Sequence, residues 1–236
     1  MQPIETIYDG YRFRSRLEAR WAVFFKYSGI RYIYEPEGFR LADGTTYLPD
    51  FYLPDYNTYV EIKSIGAIII GRDGSDQLCF ESGREDANKY VSFLTEVVKT
   101  AIYMILIGDP YDALQMNPSN NGGGYVFLLG ECLAHILIKQ GKRVTCETGE
   151  DCGSCNHYSQ LLYYPFRGFS KDGILIATTT SAEYLPKDFK YCDIIVLSEN
   201  GVDNREDIVS FREKAAAQVQ IAQQARSARF EHNETP

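Results

Sequence analysis

Two short β-prone runs joined by a four-residue turn constrain this chain more than any other feature. Tyr47-Leu-Pro-Asp50-Phe-Tyr-Leu53 is followed by Pro54-Asp55-Tyr56-Asn57 and then by Tyr59-Val-Glu61-Ile-Lys63. Residues two apart on a strand share a face, so Glu61 and Lys63 project together while Val60 and Ile62 point into a core. The tight turn folds the second run back beside the first, which sets Asp50 next to them. Two carboxylates and one ammonium thus collect at one point of a sheet. Two hard oxygen ligands suit Mg²⁺, which keeps several waters and accepts one or two protein carboxylates; Mn²⁺ is the expected substitute. A metal held there activates water and stabilises charge on a phosphodiester, with Lys63 as a positive charge or proton carrier. The competing reading is an ordinary solvated strand face. Asp55 also follows a proline, but it lies inside the turn and reads as a turn former.

The surrounding pattern predicts an α/β chain with helices packed on a sheet. Residues 15–29 read as an amphipathic helix, with Ser15 as N-cap, Leu17, Trp21, Phe24 and Phe25 on one face and Gly29 as the stop. Strands are expected over 31–35, 39–42, 47–53 and 59–64, with Asp43-Gly44 as a hairpin turn. A helix is expected over 84–100, a buried strand over 101–107, further strands over 125–129 and 174–180, and a long closing helix over 205–229. In that helix Ala215, Val219 and Ala222 form a stripe, read as packing on the chain's own core or as an interface. The Asn/Gly/Ser-rich stretch 117–124 reads as a linker.

A second constellation is Cys132-Leu-Ala-His135 followed, after 16 residues, by Cys152-Gly-Ser-Cys155. Two short knuckles separated by a hairpin bring four ligands to one tetrahedral point, as a zinc ribbon does. All four positions are protein, so this Zn²⁺ is structural. Cys146, Cys152, Cys155 and His157 form an alternative set. Buried thiols with a core histidine are the bland reading, and it is the better one for Cys79 and Cys192.

Arg12, Arg14, Arg16 and Arg20 cluster ahead of and within the first helix, interleaved with Tyr11 and Phe13. Arginines at that density grip phosphates bidentately; the alternative is a solvated helix face. Glu18 lies three residues after Ser15 and reads either as a further acid of the site or as half of a capping box.

Pro49-Asp50, ten residues, then Glu61-Ile62-Lys63 resembles the hallmark of the PD-(D/E)xK nuclease superfamily, and Ser15-Arg-Leu-Glu18-Ala-Arg-Trp21 resembles its acidic helix in TnsA-type and phage-encoded members. The resemblance covers roughly residues 8–110. It implies a restriction-endonuclease-like core, a mixed sheet flanked by helices, over 1–112, with a linker over 113–124. A zinc-ribbon-like module over 125–165 and a C-terminal α/β extension over 166–236 complete the expected organisation. By resemblance Asp50, Glu61 and Glu18 hold the catalytic metal, the Ile62 carbonyl assists, and Lys63 is catalytic. The implied activity is metal-dependent endonucleolytic hydrolysis of DNA in the cytoplasm of a bacterial cell, by a phage-type protein. The rival is a catalytically silent nuclease fold that binds DNA or a protein partner through ribbon and helix, or pairs as a homodimer.

Charge bears on the manner of binding. The 24 basic and 32 acidic side chains leave −8, which argues against coating nucleic acid or anionic membrane by bulk charge. No apolar run approaches the roughly 18–20 residues of a spanning helix, and residues 1–6 lack the basic and apolar regions of an export signal, so a soluble chain is expected. Weak binding to DNA without divalent metal follows, with Arg12 to Arg20 supplying the local attraction.

Overall fold

The computed structural model describes residues 4–41, 44–64, 68–70, 78–80, 102–115, 123–129, 161–170, 173–177, 194–198, 201–205 and 208–230. The fold is mixed α/β. It begins with a hairpin of β1 (Thr6–Tyr8) and β2 (Tyr11–Phe13), whose turn places Asp9 and Gly10 at φ 51° and 82°. This is the turn that matches the twist of paired strands. Helix α1 (Arg16–Tyr27) follows, then β3 (Ile33–Tyr34), β4 (Phe39–Arg40), β5 (Thr46–Tyr47), β6 (Phe51–Leu53) and, after a 3₁₀ turn at Pro54–Tyr56, β7 (Thr58–Lys63). Strands β8 (Ile68–Ile70), β9 (Leu78–Phe80) and β10 (Ile102–Ile107) lead to helix α2 (Pro110–Gln115). Beyond it come β11 (Gly123–Leu129), β12 (Leu161–Ser170), β13 (Gly173–Ala177), β14 (Ile194–Ser198), β15 (Gly201–Arg205) and helix α3 (Ile208–Ser227).

One sheet organises the chain, in the order β15-β14-β13-β12-β11-β10-β7-β6-β3. Strands β7 and β10 pair in parallel and every other pair in it is antiparallel. β11 and β12 pair with each other and β11 with β10. Strands expected to belong to a core, a zinc module and an extension therefore hydrogen-bond in a single sheet. Helix α2 and the first residues of β11 also occupy both ends of the stretch expected as linker. The reason is register: Ile107 pairs with Gly123 and Leu106 with Gly124, so glycines that signal a linker by composition serve here as the start of a strand.

The expected strand over 47–53 is two strands. Pro49 has no N–H to donate, and the chain changes partner around it: β5 pairs with β4, and β6 with β3 and β7. β4 and β5 do pair antiparallel as a hairpin there requires, with Gly44 at φ 85° and its N–H on the Leu41 carbonyl; Asp43 lies outside the described residues.

Helix α1 is capped as its sequence indicates, the Glu18 N–H donating to Ser15 Oγ at 3.2 Å. It buries Ala19, Trp21, Ala22, Val23, Phe24 and Phe25, and the same core takes Val60, Ile62, Met104 and Leu106 from alternate positions of β7 and β10. Aromatic rings dominate this layer. Phe13 lies 4.4 Å from Tyr34, and Phe25 contacts Phe51 at 5.4 Å and Phe169 of β12 at 6.0 Å. Each such large side chain contributes about 1.5–3 kcal/mol by burial. The Trp21 indole N–H donates to the Gly108 carbonyl at 2.9 Å, and the Gly108 N–H to the Lys63 carbonyl at 2.8 Å, tying α1 to the end of β7.

Helix α3 packs Ala222 and Ala225 into the same core with Val219 partly buried against it, so Val219 and Ala222 of the expected stripe face the chain's own core; the Ala215 side chain lies outside those described. Arg226 ties it to α2 through Asp109 at 3.2 Å and Asp112 at 3.0 Å. Among the described residues no helix is long and apolar enough to cross a membrane.

Candidate functional site

The antiparallel register of β6 and β7 runs Leu53–Thr58, Tyr52–Tyr59, Phe51–Val60. One further step sets Asp50 across from Glu61. Here the ladder meets the Pro49 break, and the Asp50 side chain continues it: the Ile62 N–H donates to Asp50 Oδ2 at 2.7 Å. Asp50 and Glu61 are buried, 4% and 6% exposed. Glu61 is therefore no solvated strand position, although Val60 and Ile62 on the opposite face are buried as expected.

Every oxygen of the two carboxylates has a donor. Asp50 Oδ1 accepts from Arg14 Nη2 at 2.6 Å. Glu61 Oε1 accepts from Lys63 Nζ at 2.6 Å, and Glu61 Oε2 accepts from the Tyr47 hydroxyl. The Tyr47 hydroxyl also meets that of Tyr103, on neighbouring β10, at 2.7 Å. Lys63 and Glu61 share a face as their spacing requires, with the Lys63 side chain 24% exposed at the rim.

Electrostatically the centre is frustrated. Burial, then the charges of Glu61 and Glu18, push the Asp50 carboxyl well above the usual carboxylate range, against the Ile62 amide and Arg14, which pull it down. Burial raises the Tyr47 phenol well above its ordinary value, aided by Tyr103 and Glu61, so it stays protonated and remains a donor.

Glu18 makes one half of a capping box through its own N–H on Ser15 Oγ, and its carboxylate is held by three other donors. Its Oε1 accepts from Ser15 Oγ at 2.7 Å, and its Oε2 from the Arg14 N–H at 3.1 Å and the Tyr34 hydroxyl at 2.6 Å. A carboxylate offers about four acceptor directions, and three are taken. Glu18 reaches Asp50 through Arg14, whose backbone it binds and whose guanidinium lies on Asp50. Among the described residues no group of three or more His, Cys, Asp or Glu side chains is gathered for a metal.

The arginines part company. Arg14 turns inward, bridging Asp50 and Glu35, the latter at 2.8 Å from Nε. Arg12 is exposed and pairs with Glu5. Arg16 and Arg20 are half-buried on α1, and Arg20 Nε is a buried donor without a hydrogen-bond partner. Asp55 sits in the 3₁₀ turn and pairs with Arg31 at 2.9 Å, as a turn former would.

Sequence reasoning missed Glu35, Tyr47 and Tyr103. Glu35 carried no signal at all, being a lone acid before a proline. Tyr47 opened the motif-bearing segment and Tyr103 sat in an apolar run, where each read as a strand former. Cys132, His135, Cys146, Cys152, Cys155 and His157 lie outside the described residues, as does Cys192, while Cys79 lies on β9.

No family model matches the chain, and no curated protein or solved structure matches it.

Proposed function

We propose that the chain is a metal-dependent DNA endonuclease of PD-(D/E)xK type, with Asp50 and Glu61 holding Mg²⁺ or Mn²⁺. The observation that carries this reading is a pair of buried carboxylates facing each other across two strands, with a lysine ammonium on one of them. Burying two like charges costs free energy that a folded scaffold has no need to bear, and a bound divalent cation removes that cost. The donor set fits: hard oxygens, two carboxylates, and neighbouring donors that fix their orientation.

When bound, the metal supplies a Lewis acid and an activated water. The chain's own groups do the rest. Lys63, at the rim of the site, neutralises charge developing on the phosphodiester or carries a proton. Tyr47 and the Ile62 amide hold Glu61 and Asp50 in place. Arg12, Arg16 and Arg20 are the candidates for the flanking backbone of the DNA. A structural Zn²⁺ on Cys132, His135, Cys152 and Cys155 completes the proposal.

The test is incubation with supercoiled, linear, single-stranded and branched DNA in Mg²⁺, Mn²⁺ or EDTA, comparing wild type with Lys63→Ala and Glu61→Ala. Cleavage that needs the metal and both side chains is expected. Equal cleavage by all three proteins sinks the assignment. Binding of DNA with no cleavage of any substrate favours the catalytically silent alternative.

A further inference from the structure

We infer that Arg14 is the resident counter-cation of the acidic centre: its guanidinium holds Asp50 until a divalent cation takes that place, and then passes to Glu35 and a DNA phosphate. The inference rests on the metal-site reading above and concerns how that site is kept and opened.

Asp50 is held by two donors of different kinds. The Ile62 amide belongs to β7 and cannot leave without breaking the strand. The guanidinium can leave. Its backbone is pinned, the Arg14 N–H lying 3.1 Å from Glu18 Oε2 and 3.0 Å from the Tyr34 hydroxyl. Its side chain, in contrast, is 54% exposed. A cation arriving from solvent meets the half-exposed guanidinium before the buried carboxylate.

Glu35 gives the displaced guanidinium a second place. It already accepts from Arg14 Nε at 2.8 Å, on the same edge of the planar fork that reaches Asp50. Glu35 also adopts φ 46°, a left-handed conformation that costs a non-glycine residue free energy and gathers at functional sites. Its N–H bonds the Asp50 carbonyl at 2.9 Å, which fixes it beside the residue it would relieve. Arg14 thus bridges one buried and one more accessible carboxylate, and moving between them keeps it paired throughout. Its planar donors match a phosphate as well as a carboxylate.

The experiment is calorimetric titration of the EDTA-treated, dialysed full chain with Mn²⁺. Wild type is compared with Arg14→Gln, Arg14→Lys, Arg31→Gln and Asp50→Asn. Loss of a competing neighbour charge tightens Mn²⁺ binding by roughly tenfold in Arg14→Gln, the scale on which one close charge moves a carboxylate equilibrium. Arg14→Lys, which keeps the charge but not the two-pronged bridge, falls between. Arg31→Gln, a charge removed at the exposed pair with Asp55, matches wild type, and Asp50→Asn loses binding. In a Lys63→Ala background, Arg14→Gln also weakens Mn²⁺-dependent binding of a labelled duplex severalfold.

Unchanged or weaker Mn²⁺ binding in both Arg14 variants, with binding still lost in Asp50→Asn, overturns the counter-cation role and leaves the metal site standing. Equal duplex affinity with and without Arg14 overturns its passage to phosphate. Failure of wild type to bind Mn²⁺, or binding undiminished in Asp50→Asn, overturns the metal site and the inference with it.

Discussion

The Ile62 amide donates to the Asp50 carboxylate at 2.7 Å, so a side chain stands where the β6–β7 ladder would otherwise have continued with backbone. That bond fixes Asp50 opposite Glu61, inside the protein, at a cost. Burial and the neighbouring charges of Glu61 and Glu18 raise the Asp50 pKa in the folded state. An unfolded aspartate titrates near about 3.9.

The sign of the pH dependence follows. A carboxyl with a raised folded pKa binds its proton more tightly when native, so its contribution is present at low pH. That contribution is lost as pH rises from about 4 through the folded pKa. In EDTA, urea midpoints of wild type should therefore fall across that window by more than those of Asp50→Asn. At the alkaline end Asp50→Asn should be the more stable protein. Adding Mg²⁺ should raise wild type and leave Asp50→Asn unmoved. Parallel pH curves for the two proteins would remove the electrostatic frustration on which the metal reading leans.

Lys63→Ala should separate chemistry from folding. A positioned acid–base or charge-stabilising group contributes roughly 10²–10⁴ in rate, so cleavage should fall by that factor. The Lys63 side chain lies at the rim, and Glu61 keeps Tyr47 as a donor after the change. The stability loss should stay below the about 3–5 kcal/mol of breaking a fully buried pair. Single-turnover cleavage and urea denaturation of the same preparation read the two effects.

Much of this centre was legible in the sequence, because its spacing is local. A turn of fixed length sets the register of β6 on β7, and a period of two places Glu61 and Lys63 on one face. The Ser15 cap and the buried face of α1 follow from helical spacing in the same way. Contacts between distant segments left no comparable trace. Tyr103 meets Tyr47 across 56 positions, and only the parallel pairing of β7 with β10 makes that meeting possible. Arg14 read as a phosphate contact because its charge is visible in sequence, whereas its partners Asp50 and Glu35 lie far along the chain. The single sheet was hidden for a different reason: Gly123 and Gly124 begin β11 two residues ahead of the strand expected over 125–129, inside a stretch whose composition argues for a linker.

Zinc is tested by metal analysis and not by activity alone. About one Zn²⁺ per chain is expected after dialysis, since a four-ligand protein site leaves no exchangeable position. Cys152→Ser with Cys155→Ser should abolish it and lower the thermal midpoint. Loss on replacing Cys132 and His135 identifies the first ligand set, and loss on replacing Cys146 and His157 the alternative. Retention of zinc in the double Cys152/Cys155 variant rejects both.

Gln218 and Gly168 give the last prediction, which concerns how α3 is fastened to the sheet. At the irregularity between Phe166 and Gly168 in β12, the Phe169 N–H donates to Gln218 Oε1 at 3.0 Å and the Gln218 amide donates to the Phe169 carbonyl. The side chain behaves as a short stretch of neighbouring strand. Gln218→Ala leaves both backbone groups unpaired and should cost about 1–3 kcal/mol. Gly168 sits at φ 133°, where side chains are disfavoured, and a Cβ there would stand 2.9 Å from Gln218 Oε1. Gly168→Ala should cost about 2–4 kcal/mol, part from backbone strain and part from that clash. The clash vanishes once Gln218 is gone, whereas the strain does not. The double variant should therefore lose less than the two single losses combined, with a coupling of about 0.5–3 kcal/mol in a double-mutant cycle read by urea denaturation. Simple additivity would mean that the helix is held to β12 by burial of Ala222 and Ala225 and not by the glutamine clasp.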